Sequence, residues 1–461
     1  MKNFKILFLL LIAFNFLFPA FVGAQWLETT ILTGSNPSAL VWNSDNNKVY
    51  CANFFGNNVT VINGSTNAID TTIVVGYGPR ALVCNLLNNK IYCANNSNEN
   101  ISVISGRTNT VFDTISVGSE PRALICNPTN NKIYCANYNN HTLSIINSIT
   151  DEVITTITTG YGTYALAWDS IDNKVFCSNI NSSQNNLTVI DGVTNVVSAI
   201  ITAGTTPIAL VYNPTNNIIY CADYNSNEVV VIDGTTYTAL TRVPTGNHPR
   251  ALAWNSFNNK VYCANENSQN VTIIDAATNS VITTVTTGIS PYALVWCSTN
   301  NKVYCANSYS NSVTVIDGVT NSVVTTINVG NNPRALAWNS IRNRTYVANY
   351  NNSSVSVIRD SIISGVEENH QLLSVDRIQF EVYPNPVKSL SVVCYSLPAK
   401  GKVFLQLYDI SGRLVKTLVD EIKNPDVYNI SLNTRGIAAG IYFLYFQTES
   451  NRVIKRLVVV K

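Results

Sequence analysis

Hydrophobic residues in this chain fall into short runs that recur at a fixed spacing. In the seventh of eight copies, from Pro291 to Gly330, four β-prone runs alternate with turns rich in Asn, Ser and Gly. The period is 42 residues except for one step of 44. The copies begin at Pro37, Pro79, Pro121, Thr163, Pro207, Pro249, Pro291 and Pro333. A period in this range is typical of solenoids, propellers and other repeat arrays.

Each copy predicts four antiparallel strands joined by hairpin turns in which Asn can supply a positive φ. In the sixth copy they are Ala251 to Trp254, Lys260 to Ala264, Val271 to Ile274 and Val281 to Thr286. These runs are apolar on both faces, as in sheets that are covered on both sides. Four strands in a unit of this length indicate a β-propeller.

The ends of the array indicate how the ring closes. Seven copies are complete, whereas the eighth, from Pro333 to Ile358, has only three strands. The segment Leu27 to Gly34 aligns with the fourth strand of the seventh copy, Val323 to Gly330, so an N-terminal strand is expected to complete the last blade. We therefore predict an all-β, eight-bladed β-propeller over residues 25–358. The alternative, seven blades, would leave four strands unpaired.

The repeat resembles the YVTN family of β-propeller repeats, which occur in YncE-like, surface-layer and other exported proteins. The signature tetrapeptide appears here as Tyr-Cys-Ala-Asn, for example at Tyr304 to Asn307. The resemblance covers about Gln25 to Ile358. It implies the fold and says little about function, because propellers host unrelated activities.

The N-terminal segment, residues 1–24, has the pattern of a secretory signal peptide. It contains Lys2 and Lys5, a long apolar run, and a small-residue cleavage site at Val22 to Ala24. A single-span membrane anchor is the alternative. No later segment is apolar enough to cross a bilayer, so no transmembrane segment is expected in the mature chain. Without the two lysines, 27 basic residues balance 27 acidic ones, which argues against nucleic acid as a partner.

After the repeats, the polar residues 359–377 predict a linker, and residues 378–461 predict a small immunoglobulin-like β-sandwich. The expected strands are Phe380 to Tyr383, Val392 to Tyr395, Val403 to Tyr408, Val427 to Leu432, Ile441 to Phe446 and Val453 to Val460.

This C-terminal stretch resembles the type A sorting domain of the type IX secretion system. The matching segments are Tyr383 to Pro386, Leu407 to Val415, Gly440 to Phe443 and Val458 to Lys461. The resemblance implies contact with the type IX secretion machinery, passage through the periplasm, and delivery to the outer-membrane surface or the medium. An ordinary adhesive sandwich domain is the alternative.

Most cysteines are predicted to be packing residues. Seven of the eleven share one repeat position, and equivalent positions in neighbouring blades lie too far apart to form a disulfide. They are Cys51, Cys93, Cys135, Cys177, Cys221, Cys263 and Cys305. Cys84 and Cys126 replace a Trp that other copies have at a core position. A disulfide between Cys84 and Cys93 is the alternative.

The sequence predicts no catalytic residue, metal site or cofactor. The three histidines, His141, His248 and His370, form no metal-binding motif, and no Gly-x-Ser-x-Gly elbow is present. One turn position carries a recurring Asp that Asn63 and Asn147 can replace, so we predict a turn role for it. The aspartates are Asp191, Asp233, Asp275 and Asp317.

Two sets of side chains on one face of the ring are the predicted ligand-binding residues. The residue after the opening Pro is expected to line the channel mouth, where Arg could hold an anion. These positions hold Ser38, Arg80, Arg122, Tyr164, Ile208, Arg250, Tyr292 and Arg334. Loops on the same face carry Asn beside aromatic rings, which suit a sugar. The rings are Phe54, Phe55, Tyr138, Tyr224, Tyr309 and Tyr350.

The alternative for both sets is structural: Arg packs its stem, and Asn and Tyr shape the turns. A two-residue insertion between Asn179 and Leu187 falls on the same face. On the opposite face a recurring lysine is interpreted as a solubilising residue that guards strand ends. The lysines are Lys48, Lys90, Lys132, Lys174, Lys260 and Lys302.

Together these features predict a monomeric, exported, non-enzymatic module for binding, adhesion or structure, with a glycan or peptide ligand. One alternative is an extracellular propeller enzyme, either a polysaccharide or other lyase or a quinone-dependent dehydrogenase. The scarcity of His and of clustered acids disfavours that alternative. A surface-layer component that assembles into arrays is a third possibility.

Overall fold

A computed structural model describes residues 25–180, 186–360, 380–383, 385, 387, 390–397, 400–424, 426–448 and 452–460. The predicted signal peptide, the insertion after Asn179, most of the linker including His370, and Pro384, Pro386 and Lys461 lie outside these residues. The chain forms two compact units, Met1–Ser364 and Gly365–Lys461. No helix in the described part of the chain is long and apolar enough to cross a membrane.

The first unit is built from four-stranded antiparallel sheets, here called blades, and its described residues form eight of them. The inner strands of blades 1 to 8 are Pro37–Asn43, Pro79–Asn85, Pro121–Asn127, Thr163–Asp169, Pro207–Asn213, Pro249–Asn255, Pro291–Cys297 and Pro333–Asn339. The second strands are Lys48–Asn53, Lys90–Asn95, Lys132–Asn137, Lys174–Asn179, Ile218–Asp223, Lys260–Asn265, Lys302–Asn307 and Arg344–Asn349.

The third strands are Asn58–Asn63, Asn100–Ser105, Thr142–Asn147, Asn186–Asp191, Glu228–Asp233, Asn270–Asp275, Ser312–Asp317 and Ser354–Asp360. The outer strands are Ile69–Val74, Val111–Ser116, Glu152–Thr158, Val197–Thr202, Ala239–Pro244, Ser280–Thr286, Val323–Asn328 and, for blade 8, Gln25–Leu32. A 3-10 turn, Tyr350–Asn352, follows the second strand of blade 8.

The ring closes between blade 8 and blade 1, whose inner strands contact each other as those of neighbouring blades do elsewhere. The N-terminal strand pairs antiparallel with Ser354–Asp360, which confirms the predicted closure. The strand Ser354–Asp360 ends two residues beyond Ile358, where the sequence analysis placed the end of the propeller. Arg359 pairs with Glu28 at 3.3 Å, and Asp360 is buried, where it accepts a hydrogen bond from Gln25 at 2.7 Å.

Each hydrophobic core lies between two neighbouring blades, which is why the strands are apolar on both faces. In one core Cys51 and Ile62 of blade 1 pack with Tyr346 and Val357 of blade 8. All seven cysteines at the repeat position are fully buried and free, which confirms their packing role. Cys84 and Cys93 are also free, so the alternative disulfide is wrong.

Asn supplies positive φ in the turns as predicted. The Asn before each second strand, such as Asn47 or Asn89, has φ near +50°. The recurring Asp also acts in its turn: the carboxylate of Asp233 accepts the backbone N–H groups of Thr235 and Thr236 at 2.9 and 2.7 Å. The predicted turn role of this position is therefore confirmed.

On the face with the first and third turns, one hydrogen-bonding pattern recurs between consecutive blades, and we call it the inter-blade latch. The amide of Asn46 donates to the Gly106 carbonyl at 2.7 Å, and Asn216 donates to the Ala276 carbonyl at 2.6 Å. The amino group of Lys90 donates to the Asp151 carboxylate at 2.6 Å. The latch explains why Asn and Lys recur in this turn.

The interpretation of the recurring lysines as solubilising residues is therefore wrong for those that reach the next blade. Lys132 and Lys260 bond to the carbonyl groups of Gly192 and Gly318, and Lys302 is buried 3.2 Å from Asp360. Lys48 and Lys174 instead pair with Asp70 and Asp191 of their own blades.

The second unit contains two antiparallel sheets that share one core, in agreement with the predicted sandwich. The first sheet consists of Phe380–Tyr383, Leu390–Leu397 and Asp426–Asn433. The second consists of Leu414–Lys423, Gly401–Asp409, Gly440–Gln447 and Arg452–Val459. The prediction missed Leu414–Lys423, because this edge strand is largely exposed and carries charged residues in place of an apolar run.

Candidate ligand site at the channel mouth

A β-bulge directs the residue after each opening Pro. In seven blades the inner strand pairs with the second strand at the Pro and then resumes two residues later, so that the residue between has no partner. In blade 4 the gap spans Tyr164 and Ala165. Bulges re-aim side chains and are frequent beside functional sites. Here the bulged residues come together at the mouth of the central channel.

Seven of the eight bulged residues, all except Arg250, line a cavity of about 410 Å³. Its lining residues include Ser38, Phe54, Arg80, Arg122, Ala123, Tyr164, Ala165, Leu166, Ile208, Ala209, Leu210, Tyr292, Arg334 and Tyr350. The volume lies toward the lower end of the range for small-molecule sites, about 300 to 1,000 Å³. Of the predicted site residues, the structure places Arg80, Arg122, Tyr164, Tyr292, Arg334 and Tyr350 around this single cavity.

Three arginines, Arg334, Arg80 and Arg122, come from blades 8, 2 and 3, and we call them the cationic arc. The Arg122 guanidinium lies 4.0 Å from the Tyr164 ring centre and donates to the Tyr164 hydroxyl at 2.7 Å. Arg334 lies 4.0 Å from the Tyr350 ring centre and donates to the Asn332 side-chain oxygen at 3.0 Å. None of the three pairs with a carboxylate among the described residues.

The arc is electrostatically unbalanced at Arg80. Its guanidinium lies 6.0 Å from the Phe54 ring centre, in a partly buried position. Burial, and then the charge of Arg122, lower the pKa of Arg80 below its usual range. A bound anion would offset both effects, because it would supply the counter-charge that the protein does not.

Blades 4 and 5 supply most of the apolar lining, here called the apolar wall: Ala165, Leu166, Ile208, Ala209 and Leu210. Ala123 of blade 3 adds to the apolar lining. In a ring of eight blades, blade 5 lies opposite blade 1, and blade 1 lies between blades 8 and 2 of the arc. At the bulge position the residue changes from Arg to Tyr164 and then to Ile208. The cavity therefore has a cationic side and an apolar side.

The fourth predicted arginine, Arg250, is not among the residues that line the cavity. Its guanidinium donates to the Glu266 carboxylate at 3.0 Å and lies 3.9 Å from the Tyr292 ring centre. Although burial acts in the other direction, Tyr292 and Glu266 raise the pKa of Arg250. Glu266 also accepts the Tyr224 hydroxyl at 3.1 Å. Of the four predicted arginines, Arg250 is the one whose charge an acid of the chain neutralises.

The sequence interpretation overlooked Glu266, although the repeat contained a signal for it. Glu266 occupies the loop position that holds Tyr138, Tyr224 and Tyr350 in other blades. The position is aromatic in four of the eight copies, and Glu266 is its only acid. An acid one strand away from an arginine was the available clue.

Three of the loop tyrosines, Tyr138, Tyr224 and Tyr350, already have an arginine or a histidine against the ring. Tyr224 stacks on His248 with ring centres 4.3 Å apart, and the Tyr138 ring centre lies 5.3 Å from the Arg122 guanidinium. Tyr309 is 73% exposed and does not belong to the lining of the cavity. Guanidinium groups or His248 contact the rings of Tyr138, Tyr224 and Tyr350, so these rings help to hold those side chains in place.

Blade 5 departs from the repeat a second time on this face. In blade 1 the buried Asn53 amide donates to Asn58 at 2.7 Å and to Thr60 at 2.9 Å. Blade 5 has the buried Asp223 at the equivalent position; it accepts the Thr206 N–H at 2.8 Å, and its other oxygen has no partner among the described residues. Burial, with a contribution from Glu228, raises the pKa of Asp223 to about 6.

No group of three or more His, Cys, Asp or Glu side chains within the described ranges is arranged to hold a metal ion.

A known family model matches part of each of the two units. Residues 78–251 match the family model of the YNCE-like beta-propeller, and residues 381–460 match that of the secretion system C-terminal sorting domain. No curated protein matches the chain. The chain therefore carries a YNCE-like β-propeller and a C-terminal sorting domain of the type IX secretion system, and it is exported to the cell surface or secreted.

Solved structures that resemble the chain show the fold alone. Hydrazine synthase from Kuenenia stuttgartiensis has 17% sequence identity and a TM-score of 0.51, and the match covers 71% of this chain and 96% of that one. A chain from a mitotic checkpoint complex has 12% identity and a TM-score of 0.52, with 78% of this chain and 99% of that one covered.

Proposed function

We propose that this exported propeller is a non-enzymatic binding module whose ligand site is the cavity at the channel mouth, with part of an extracellular glycan or peptide as ligand. One observation carries the proposal: three partly buried arginines surround a cavity of about 410 Å³ without a carboxylate partner among the described residues.

The energetic cost of this arrangement supports binding over a purely structural role. Removing a cation from water is unfavourable unless an anion or several hydrogen bonds compensate for the lost hydration. Elsewhere in the ring the chain supplies that compensation: Arg344 pairs with Glu28, and Arg250 pairs with Glu266. The cationic arc has neutral partners only: Arg122 and Arg334 each donate one hydrogen bond, and no arginine of the arc has a carboxylate partner among the described residues. This is expected for a surface that an external anion completes.

Glycan and peptide arrays probed with the full chain lacking residues 1–24 test this proposal. The double variant Arg80→Gln/Arg122→Gln removes two charges from the mouth. Arg107→Gln/Arg342→Gln is the matched control, because both of its arginines are exposed on the opposite face. We expect the mouth variant to bind the identified ligand at least about tenfold more weakly, since hydrogen bonds to charged groups are the strong ones.

The control variant should bind like the wild type, and both variants should unfold at the wild-type temperature. Loss of binding in the control with full binding in the mouth variant would place the site on the other face and refute the proposal.

A further inference from the structure

We infer that the ligand is an amphipathic organic anion, in which a carboxylate or sulfate group is attached to a compact ring. This inference rests on the proposed function and specifies its ligand. The observation behind it is that a cationic arc and an apolar wall face each other across one cavity.

The arc suits a single anionic group. A guanidinium presents several N–H donors in a fixed plane and binds carboxylate or sulfate oxygens in pairs. Arg122 uses one terminal nitrogen for Tyr164, and Arg334 uses Nε for Asn332, so the other nitrogens of each group remain for a ligand. The aromatic rings beneath the guanidinium groups fix their orientation before the anion arrives.

The wall requires more than a bare inorganic ion. Phosphate or sulfate bound to the arc would leave Ile208, Leu166 and Leu210 facing water. A ligand with an apolar or weakly polar ring would cover these side chains and gain the free energy of removing them from water. The cavity of about 410 Å³ has room for a small ring, such as one acidic sugar residue or one cyclic acid.

Glu266 strengthens the asymmetry between the two sides. By neutralising Arg250 it leaves blade 6 without free positive charge. The ion pair also disfavours a ligand bound in reverse, because the anionic group would then meet no net positive charge at blade 6. Replacement of Glu266 should therefore improve anion binding, which is the opposite of the effect expected for a residue that only supports the fold.

Calorimetric titration of the full chain lacking residues 1–24 tests the inference with five probes. Cyclohexanecarboxylate and D-glucuronate represent the two sources of such an anion, a free organic acid and an acidic sugar. Cyclohexanecarboxamide and D-glucose are their neutral counterparts, and acetate is the anion without a ring. We expect at least one ring anion to bind about tenfold more tightly than its neutral counterpart and than acetate.

Three variants and one control separate the contributions to this binding. Arg80→Gln should weaken binding of the ring anion about tenfold, and Ile208→Thr should weaken it about threefold while leaving acetate unchanged. Glu266→Gln should tighten it about fivefold, because Arg250 then contributes its charge. Arg107→Gln removes an exposed charge from the opposite face and should have no effect.

Three results would overturn the inference: both ring anions bind no more tightly than their neutral counterparts, both bind no more tightly than acetate, or neither binds at millimolar concentration. A neutral array ligand lost in Arg80→Gln/Arg122→Gln would refute the inference and still support the proposed function. The two can therefore fail separately.

Discussion

On the face with the inter-blade latch, the same bonds recur from blade to blade, whereas on the channel-mouth face the residue at one repeat position changes. Asn46 and Asn216 bind the next blade in the same way although they lie four blades apart. At the mouth, the bulged position holds Arg80 in blade 2 and Ile208 in blade 5. Within a repeat protein, what recurs describes the architecture, and what departs from the repeat indicates the site.

Removal of the outer strand of blade 8, residues 25–32, should lower the stability of the propeller more than any other change considered. It exposes the edge of Ser354–Asp360, removes the buried Ile31, and leaves Arg344 without Glu28. We expect a loss of about 5 kcal/mol or more in the free energy of unfolding, or aggregation, from lost burial and an unpaired buried charge. Thermal unfolding measures the loss of stability, and light scattering measures aggregation. An unchanged unfolding temperature would contradict the role of this strand in closing the ring.

Substitution of Arg by Met on each face compares the two regions directly. Arg344 is 5% exposed and donates to the Gly64 and Ser65 carbonyl groups as well as to Glu28. Arg344→Met should therefore cost about 3 kcal/mol of unfolding free energy. Arg80→Met should cost under about 0.5 kcal/mol or stabilise the fold, because it removes a charge that lacks a carboxylate partner among the described residues. If chemical denaturation gave the same loss of unfolding free energy for both variants, the two faces would not differ in how their arginines are compensated.

Asp223→Asn should restore the repeat in blade 5 and stabilise it in a pH-dependent way. The pKa of Asp223 is near 6, above its ordinary value of 3.8, so the folded state holds more protons between these values and stability falls as pH rises from about 4 to 6. The substitution should add about 3 kcal/mol at pH 7 and little at pH 4. A gain of the same size at both pH values would show that ionisation is not its cause.

Tyr309→Ala should have the smallest effect. Its ring is 73% exposed and lies outside the lining of the cavity, unlike Tyr350 at the equivalent loop. We expect a stability change under about 0.5 kcal/mol and unchanged affinity for the array ligand. A clear loss of affinity would extend the site beyond the channel mouth.

The period of the sequence was enough to predict the strands, the closing strand and the repeat position that faces the channel mouth, because these follow from backbone pairing within one repeat. The side-chain partners were not predictable in this way. Glu266 binds Arg250, and Tyr224 stacks on His248, through contacts between loops whose lengths and directions no single repeat specifies. The latch was missed for a related reason: Lys90 and Asp151 belong to different copies.

The most direct test of the binding site is a crystal structure of the full chain lacking residues 1–24, soaked with 4-iodobenzoate. This probe has a carboxylate at one end of a ring and a strong anomalous scatterer at the other. We predict that the carboxylate lies within hydrogen-bonding distance of Arg80 or Arg122 and that the iodine lies against Ile208 or Leu210. An anomalous peak on the arginine side, or density for the probe only outside the channel mouth, would contradict the proposed binding site.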